Sequence, residues 1–208
     1  MPLLAQPKVS AAQRSRSNEE VKQLLQEGRS LVNAGDYDGA IAIYQRAASI
    51  QPKNPTIFSG IGFLQARQGK LREALVSYRR AIALNPRSSD FYEAVGFIHG
   101  NLGDMKAAKE AYRKAVQLNR RNLNAYLGLG VTQSRLGDIS SSKWAFEQAM
   151  GIDRNNGKTY EFMGAALKQQ GKRTEASRLL QKARDLYTRR KDMDGVSRVE
   201  AMLRGLGG

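Results

Sequence analysis

Small and apolar residues recur along this chain at a constant interval of 34 positions, between polar and charged stretches. The pattern is anchored by five glycines, Gly35, Gly69, Gly103, Gly137 and Gly171. Each anchor has another glycine seven residues before it and a small residue, Ala or Ser, five residues after it. Small side chains let two helix backbones approach closely, so each interval is predicted to hold two antiparallel helices joined by a tight turn at the anchor.

Large residues keep the same period and are expected to fill the space between the paired helices. Nine residues after the anchors stand Tyr44, Tyr78, Tyr112, Phe146 and Leu180. Local signals support the helix boundaries, because Asp36, Asp104 and Asp138 directly follow an anchor and suit a helix N-cap. Lys70 and Lys172 depart from this rule.

The period and these columns resemble the tetratricopeptide repeat. The resemblance covers five repeats, at residues 21–54, 55–88, 89–122, 123–156 and 157–190. It implies an all-α fold, a right-handed α-solenoid of helix-turn-helix repeats without a single central core.

The two ends lie outside the period. Residues 1–16 are predicted to be a flexible tail, and Ser17 with Glu20 to form the capping box that begins the first helix. An alternative reads residues 2–6 as the remnant of an export signal. Within residues 191–208, helical apolar spacing from 192 to 204 predicts a helix that caps the last repeat, followed by a short tail.

Composition narrows the class of protein. The 208 residues include no cysteine, which excludes disulfides and thiol chemistry. No apolar run reaches the roughly 18 residues that span a bilayer, so a soluble protein is expected, cytoplasmic or, if an export signal has been removed, periplasmic. The formal net charge of +15 favours attraction to nucleic acid, anionic membranes or acidic proteins.

The resemblance also implies that the first helices line a concave groove that binds a peptide or a helix of a partner protein. The side chains expected to face it are Arg29, Thr56, Ser59, Phe63, Asp90, Glu93, Phe97, Asn124, Leu127, Val131, Lys158, Glu161 and Lys168. Phe63, Phe97 and Val131 share one column and would form an apolar stripe. The alternative is that Phe63 and Phe97 are buried between neighbouring repeats. The chain lacks the Lys and Asn pattern with which family members grip acidic chaperone C-termini.

A separate set of basic residues recurs outside the expected groove. Its members are Arg79, Arg80, Arg113 and Lys114 on the outer side of the second helices, and Arg87, Arg120, Arg121, Arg189 and Arg190 in the connectors. Such a row suits phosphate groups, so binding of nucleic acid or an anionic membrane is the alternative function. The alternative is that these residues simply form a solvated outer face.

Catalytic and cofactor motifs are lacking in the sequence. His99 is the single histidine and falls in an interior column, where a packing role is expected. Trp144 lies on the outer side of its helix, either shielding aliphatic groups or open to a partner. We therefore expect no catalytic residues, metal or cofactor, and a non-enzymatic scaffold, adaptor or assembly factor that binds a protein or peptide.

Overall fold

The computed structural model describes residues 10–207 and shows eleven α-helices and no β-strand within that range. The helices are α1 Ala11–Asn33, α2 Tyr37–Ile50, α3 Pro55–Arg67, α4 Leu71–Leu84, α5 Ser89–Asn101, α6 Met105–Leu118, α7 Leu123–Arg135, α8 Ile139–Ile152, α9 Gly157–Gln169, α10 Arg173–Arg189 and α11 Met193–Arg204. Each 34-residue interval holds one pair, from α1 with α2 to α9 with α10. The predicted all-α repeat fold is confirmed.

The first helix begins earlier than the sequence suggested. Ser10 is its N-cap: the Ser10 hydroxyl accepts from the Gln13 amide, and the Gln13 side chain accepts from the Ser10 amide. This capping box precedes the one predicted at Ser17, and no helix breaker separates the two, so the predicted start at Ser17 is wrong. Residues 11–16 belong to α1, whereas residues 1–9, including the proposed signal remnant, lie outside the described residues.

The turn inside each repeat depends on its anchor glycine. All five anchors adopt the left-handed region with φ between 75° and 83°, where a side chain would be strained. Asp36, Asp104 and Asp138 then cap the following helix by accepting from a backbone amide three residues on, as predicted. Lys70 and Lys172 occupy the same position without a side-chain cap bond.

Within each pair, the second glycine column packs directly on the large-residue column. A Cβ placed on Gly28 would lie 2.2 Å from the Tyr44 ring, and on Gly96 it would lie 2.8 Å from the Tyr112 ring. Gly164 meets Leu180 in the same way. The missing side chain therefore provides the space that the large residue fills, which explains why both columns keep the period.

The chain divides into two compact units: unit 1 ends at Arg87, and unit 2 begins at Ser88. Unit 1 contains α1 to α4, packed in sequence order. Its core joins Val21 and Leu24 of α1, Ala47 of α2, and Ile57 and Ile61 of α3.

Unit 2 contains α5 to α11, and its first helices α5, α7 and α9 lie side by side. One core cluster is centred on Tyr112, Tyr126 and Phe146, which are at most 6% exposed. A second cluster joins Leu180 and Tyr187 of α10 to Val199 of α11. The predicted C-terminal capping helix is therefore present as α11, packed on α10 and α9. Within residues 10–207, no helix combines the length and the apolar character that a membrane span requires.

Candidate functional site

An open groove runs along the first helices of unit 2. Its volume is about 540 Å³, and its walls come from α5, α7 and α9. Its lining residues are Glu93, Phe97, Gly100, Asn101, Met105, Tyr112, Asn124, Leu127, Gly128, Val131, Thr132, Ser134, Arg135, Lys158, Phe162, Ala165, Ala166 and Gln169. Most of these residues lie on one face of a first helix, as the helical period requires.

The floor of the groove is apolar. The Phe97 side chain is 54% exposed, and Val131 and Phe162 lie half-buried on the neighbouring helices. Tyr112 reaches the groove from below, since Gly128 leaves room for its ring; a Cβ on Gly128 would come within 2.2 Å of it. The floor is thus a packed surface that keeps one aromatic side chain open to solvent.

The rim of the groove is polar. Glu93 is half-buried on α5, while Asn124, Arg135 and Lys158 are exposed on α7 and α9. Burial, reinforced by the neighbouring Asp90 carboxylate, raises the pKa of Glu93 above its ordinary value. Burial and the Glu93 charge also raise the pKa of the Tyr112 phenol, so this phenol stays protonated at neutral pH.

The structure brings together six of the predicted groove residues, namely Glu93, Phe97, Asn124, Leu127, Val131 and Lys158. Leu127 is 3% exposed, so it forms part of the packed floor. Asp90 is exposed in the first turn of α5, one helical turn before Glu93 and outside the groove lining.

Four predicted groove residues belong to unit 1. Arg29 and Thr56 are exposed, and the Ser59 hydroxyl donates to the Thr56 carbonyl at 3.0 Å. Phe63 is 50% exposed, close to the value for Phe97. The alternative in which Phe63 and Phe97 are buried between repeats is therefore wrong.

Two further predictions are corrected by α11. Glu161, expected to face the groove, is 3% exposed and is held by the Tyr187 hydroxyl and by the Arg198 guanidinium, whose Nε lies 3.1 Å from Glu161 Oε1. Lys168 points its Nζ to the Met202 carbonyl at 3.3 Å. Both side chains contact the capping helix, through Arg198 and Met202, which lie 37 and 34 positions away in the sequence, and Glu161 also contacts Tyr187 of α10.

One column of groove residues was not predicted from the sequence. Asn101, Arg135 and Gln169 each lie one helical turn after the column of Phe97 and Val131, and all three line the groove. Their spacing of 34 residues was visible in the sequence, and extending the helical face by four residues would have found them.

The basic residues outside the groove differ in what they contact. Arg80 lies over the Phe58 ring at 5.6 Å, Arg113 pairs with Glu110 at 3.3 Å, and Arg190 pairs with Asp153 at 3.7 Å. Exposed members without an ion pair to any residue in 10–207 are Arg79, Arg87, Lys114, Arg120, Arg121 and Arg189.

The residues singled out for other chemistry have structural surroundings. His99 is largely buried, with Nδ1 3.7 Å from Asp104 Oδ2. Trp144 is 48% exposed and packs edge-on against Tyr126 with ring centroids 5.8 Å apart, so part of its ring stays open to solvent. Within residues 10–207, no group of three or more acidic or histidine side chains is placed to hold a metal ion.

Solved structures of repeat proteins are similar to this chain. The crystal structure of MamA shares 25% sequence identity, with a TM-score of 0.69, over 79% of this chain and 96% of that chain. TTC0263, described as a thermophilic TPR protein in Thermus thermophilus, shares 21% identity, with a TM-score of 0.73, over 88% and 98%. YrrB, described as a TPR protein with an unusual peptide-binding site, shares 20% identity, with a TM-score of 0.65, over 85% and 92%.

Comparison with curated proteins gives no match. Family models described as TPR repeat match residues 28–69 and 66–103. Tetratricopeptide repeat models match residues 89–122, 123–156 and 158–190. Proteins built from such repeats generally bind protein or peptide partners through concave surfaces. The matched segments span most of the chain, the last three coincide with the helix pairs of unit 2, and the chain belongs to the tetratricopeptide repeat family.

Proposed function

We propose that this protein is a non-enzymatic adaptor that holds a peptide segment of a partner protein in the groove of α5, α7 and α9. The observation that carries the proposal is Phe97, an aromatic side chain that is 54% exposed above an apolar floor. Covering such a side chain releases water from apolar surface and stabilises a complex. Concave sites with an apolar floor and a few polar groups are the usual form of binding sites.

The mechanism is pre-organisation. The helices that carry the groove are fixed by a packed core, in which Tyr126 and Phe146 are 6% and 1% exposed. The groove therefore loses little conformational entropy on binding, and the ligand accounts for most of the ordering. Asn124 makes no side-chain hydrogen bond to any residue in 10–207, so its amide is free to bond a peptide backbone.

A second, weaker proposal concerns the predicted groove residues of unit 1. Thr56, Ser59 and Phe63 occupy the same repeat positions as Asp90, Glu93 and Phe97. We propose that they, with Arg29, form a separate and weaker binding surface on unit 1. Phe63 is thus a matched comparison for Phe97, with the same residue type, repeat position and near-equal exposure.

The experiment selects ligands from a displayed library of random peptides and measures their affinity by calorimetry. Replacing a central aromatic anchor costs about 2 kcal/mol, so Phe97→Ala should weaken a selected peptide about 30-fold. Phe63→Ala should change the affinity by less than about threefold. A Phe97→Ala variant with unchanged helicity and unchanged affinity would contradict the proposal.

The basic connectors support one other candidate function, binding of an anionic surface or nucleic acid. Arg120 and Arg121 are adjacent, exposed and without an ion pair among residues 10–207. Binding through such residues should weaken steeply as salt rises, because it releases counterions. If Arg120→Gln with Arg121→Gln leaves the salt dependence of binding to nucleic acid or anionic vesicles unchanged, this candidate fails.

A further inference from the structure

The first turns of the three groove helices carry different charges at one equivalent position. Asp90 on α5, Asn124 on α7 and Lys158 on α9 are separated by 34 residues each, and all three are exposed. From α5 through α7 to α9, the charge at this first-turn position therefore changes from acidic to neutral to basic.

Glu161 would disturb this order if it faced the groove, since it occupies the position in α9 that Glu93 occupies in α5. The structure removes it: Glu161 is 3% exposed, and the two nitrogens of Arg198 lie 3.1 and 3.4 Å from its carboxylate. Its charge is compensated inside the packing of α11. Glu93 is then the carboxylate that lines the groove.

Glu93 lacks a cationic partner in the described part of the chain. The Asp90 carboxylate is the charged group that raises the pKa of Glu93, and the Glu93 charge in turn raises the pKa of the Tyr112 phenol. Burial and Asp90 raise the pKa of Glu93, which shows that the free site disfavours its charge. A cation from a ligand would relieve this unfavourable environment.

The opposite wall is basic. Lys158 lines the groove from α9 without an ion pair to any residue in 10–207. On the middle helix α7, Arg135 lies one helical turn after Val131 and adds a second cation to the groove lining. The equivalent positions Asn101 and Gln169 are neutral, so the acidic character stays on α5.

Building on the proposed function, we infer that the groove takes an extended peptide with a basic side chain at the α5 wall, apolar residues over Phe97 and Val131, and an acidic side chain at the α9 wall. Charge complementarity selects this occupant. The carboxylates of Asp90 and Glu93 repel a phosphate chain, which disfavours nucleic acid at this site.

The spacing of the two charges on the ligand follows from helix packing. Adjacent packed helices lie about 8–10 Å apart, so α5 and α9 are separated by about 16–20 Å across α7. An extended chain advances about 3.3–3.6 Å per residue. The basic and acidic side chains should therefore stand about five or six residues apart.

The test uses synthetic peptides with one apolar centre and four sets of ends: Lys with Glu, Gln with Glu, Lys with Gln, and Gln with Gln. Affinities for the full chain are measured by calorimetry. We expect Lys with Glu to bind tightest, by about threefold to tenfold for each charge. Glu93→Gln should reduce the preference for Lys over Gln at the α5 wall, where Asp90 still attracts a cation, and Lys158→Gln should make the Glu and Gln ends equivalent at the α9 wall. Glu147→Gln, an exposed carboxylate on α8 paired with Lys143, is the control and should change nothing.

The outcomes separate the two proposals. If the four peptides bind equally and Phe97→Ala still weakens all of them, the charge order is wrong while the groove remains the site. If none of the peptides binds, or if Phe97→Ala has no effect on those that do, both proposals are overturned.

Discussion

Units 1 and 2 are built from the same repeat but present different surfaces. Phe63 in unit 1 and Phe97 in unit 2 occupy one repeat position and are 50% and 54% exposed. The two surfaces differ in charge at the positions seven and four residues before the phenylalanine. Unit 1 has the neutral Thr56 and Ser59 there, whereas unit 2 has the acidic Asp90 and Glu93. The repeated positions set the scaffold, and the positions that break the repeat determine what each surface can bind.

The two units also differ in how their outer helices are held. In unit 2, α11 packs on α9 and α10 and holds the buried Glu161 through Arg198, while Tyr187 of α10 donates to the same carboxylate. In unit 1, the first helix α1 exposes the charged Glu27. Unit 1 thus presents a charged side chain on its first helix, whereas the last repeat of unit 2 is covered by an additional helix.

The largest expected effect on stability comes from substituting two glycines, Gly60 in unit 1 and Gly128 in unit 2, which occupy the same repeat position. A Cβ on Gly128 would lie 2.2 Å from the Tyr112 ring, and on Gly60 it would lie 2.9 Å from the Tyr44 ring. We expect Gly128→Ala to lower the free energy of unfolding by about 3 kcal/mol and Gly60→Ala by about 1 kcal/mol. Chemical denaturation measures both, and equal losses would contradict the closer packing under α7.

The ion pair beneath α11 should have the next largest effect. Arg198→Ala leaves the buried Glu161 carboxylate with Tyr187 alone, and because Arg198 is half-exposed, water can replace part of the lost interaction. We expect a loss of about 2 kcal/mol. Arg204→Ala, an exposed arginine at the end of the same helix, is the control and should stay within about 0.5 kcal/mol. Similar values for the two variants would show that Glu161 does not depend on Arg198.

A smaller effect distinguishes the two turns that lack an aspartate. Lys172→Asp supplies an N-cap to α10 and should add about 1 kcal/mol to the free energy of unfolding. Lys70→Asp should add less, because Lys70 Nζ lies 3.3 Å from Asp38 Oδ1 and the new carboxylate would face Asp38. Thermal unfolding compares the two, and a larger gain from Lys70→Asp would contradict the role assigned to Asp38.

The smallest effect concerns the charge of Glu93. Its pKa is raised in the folded protein, so the folded state binds this proton more tightly than the unfolded state does. The stability that this provides is fully present below the ordinary pKa of a glutamate and is lost as pH rises through the raised value. We therefore expect Glu93→Gln to unfold at a slightly higher temperature than the original protein at neutral pH, and the difference to vanish in acid. A variant that is less stable at neutral pH would show that the carboxylate is stabilised by its surroundings.

The sequence was sufficient for the scaffold because its signals are local and repeated. Each signal acts within one helix pair: the anchor glycines, the aspartate caps and the packing of Tyr112 against Gly96. The same reasoning failed for Glu161 and Lys168, whose partners lie in α11, outside the repeat. Periodicity tells which face of a helix a residue occupies, but it does not tell which element covers that face.

The start of α1 was missed for a related reason. Two capping boxes, at Ser10 and at Ser17, compete for the same role, and the period favours the one adjacent to the first repeat. The earlier box begins the helix because the residues between the two permit it to continue. Helix boundaries outside a repeat are set by such local competition.

The most direct test of the central claim maps a selected peptide onto the protein by chemical-shift perturbation in nuclear magnetic resonance spectra. The account predicts the largest shifts at the groove residues Phe97, Asn124 and Val131, with weaker shifts at Phe63. Perturbations that centre instead on the connector residues Arg120 and Arg121 would contradict it.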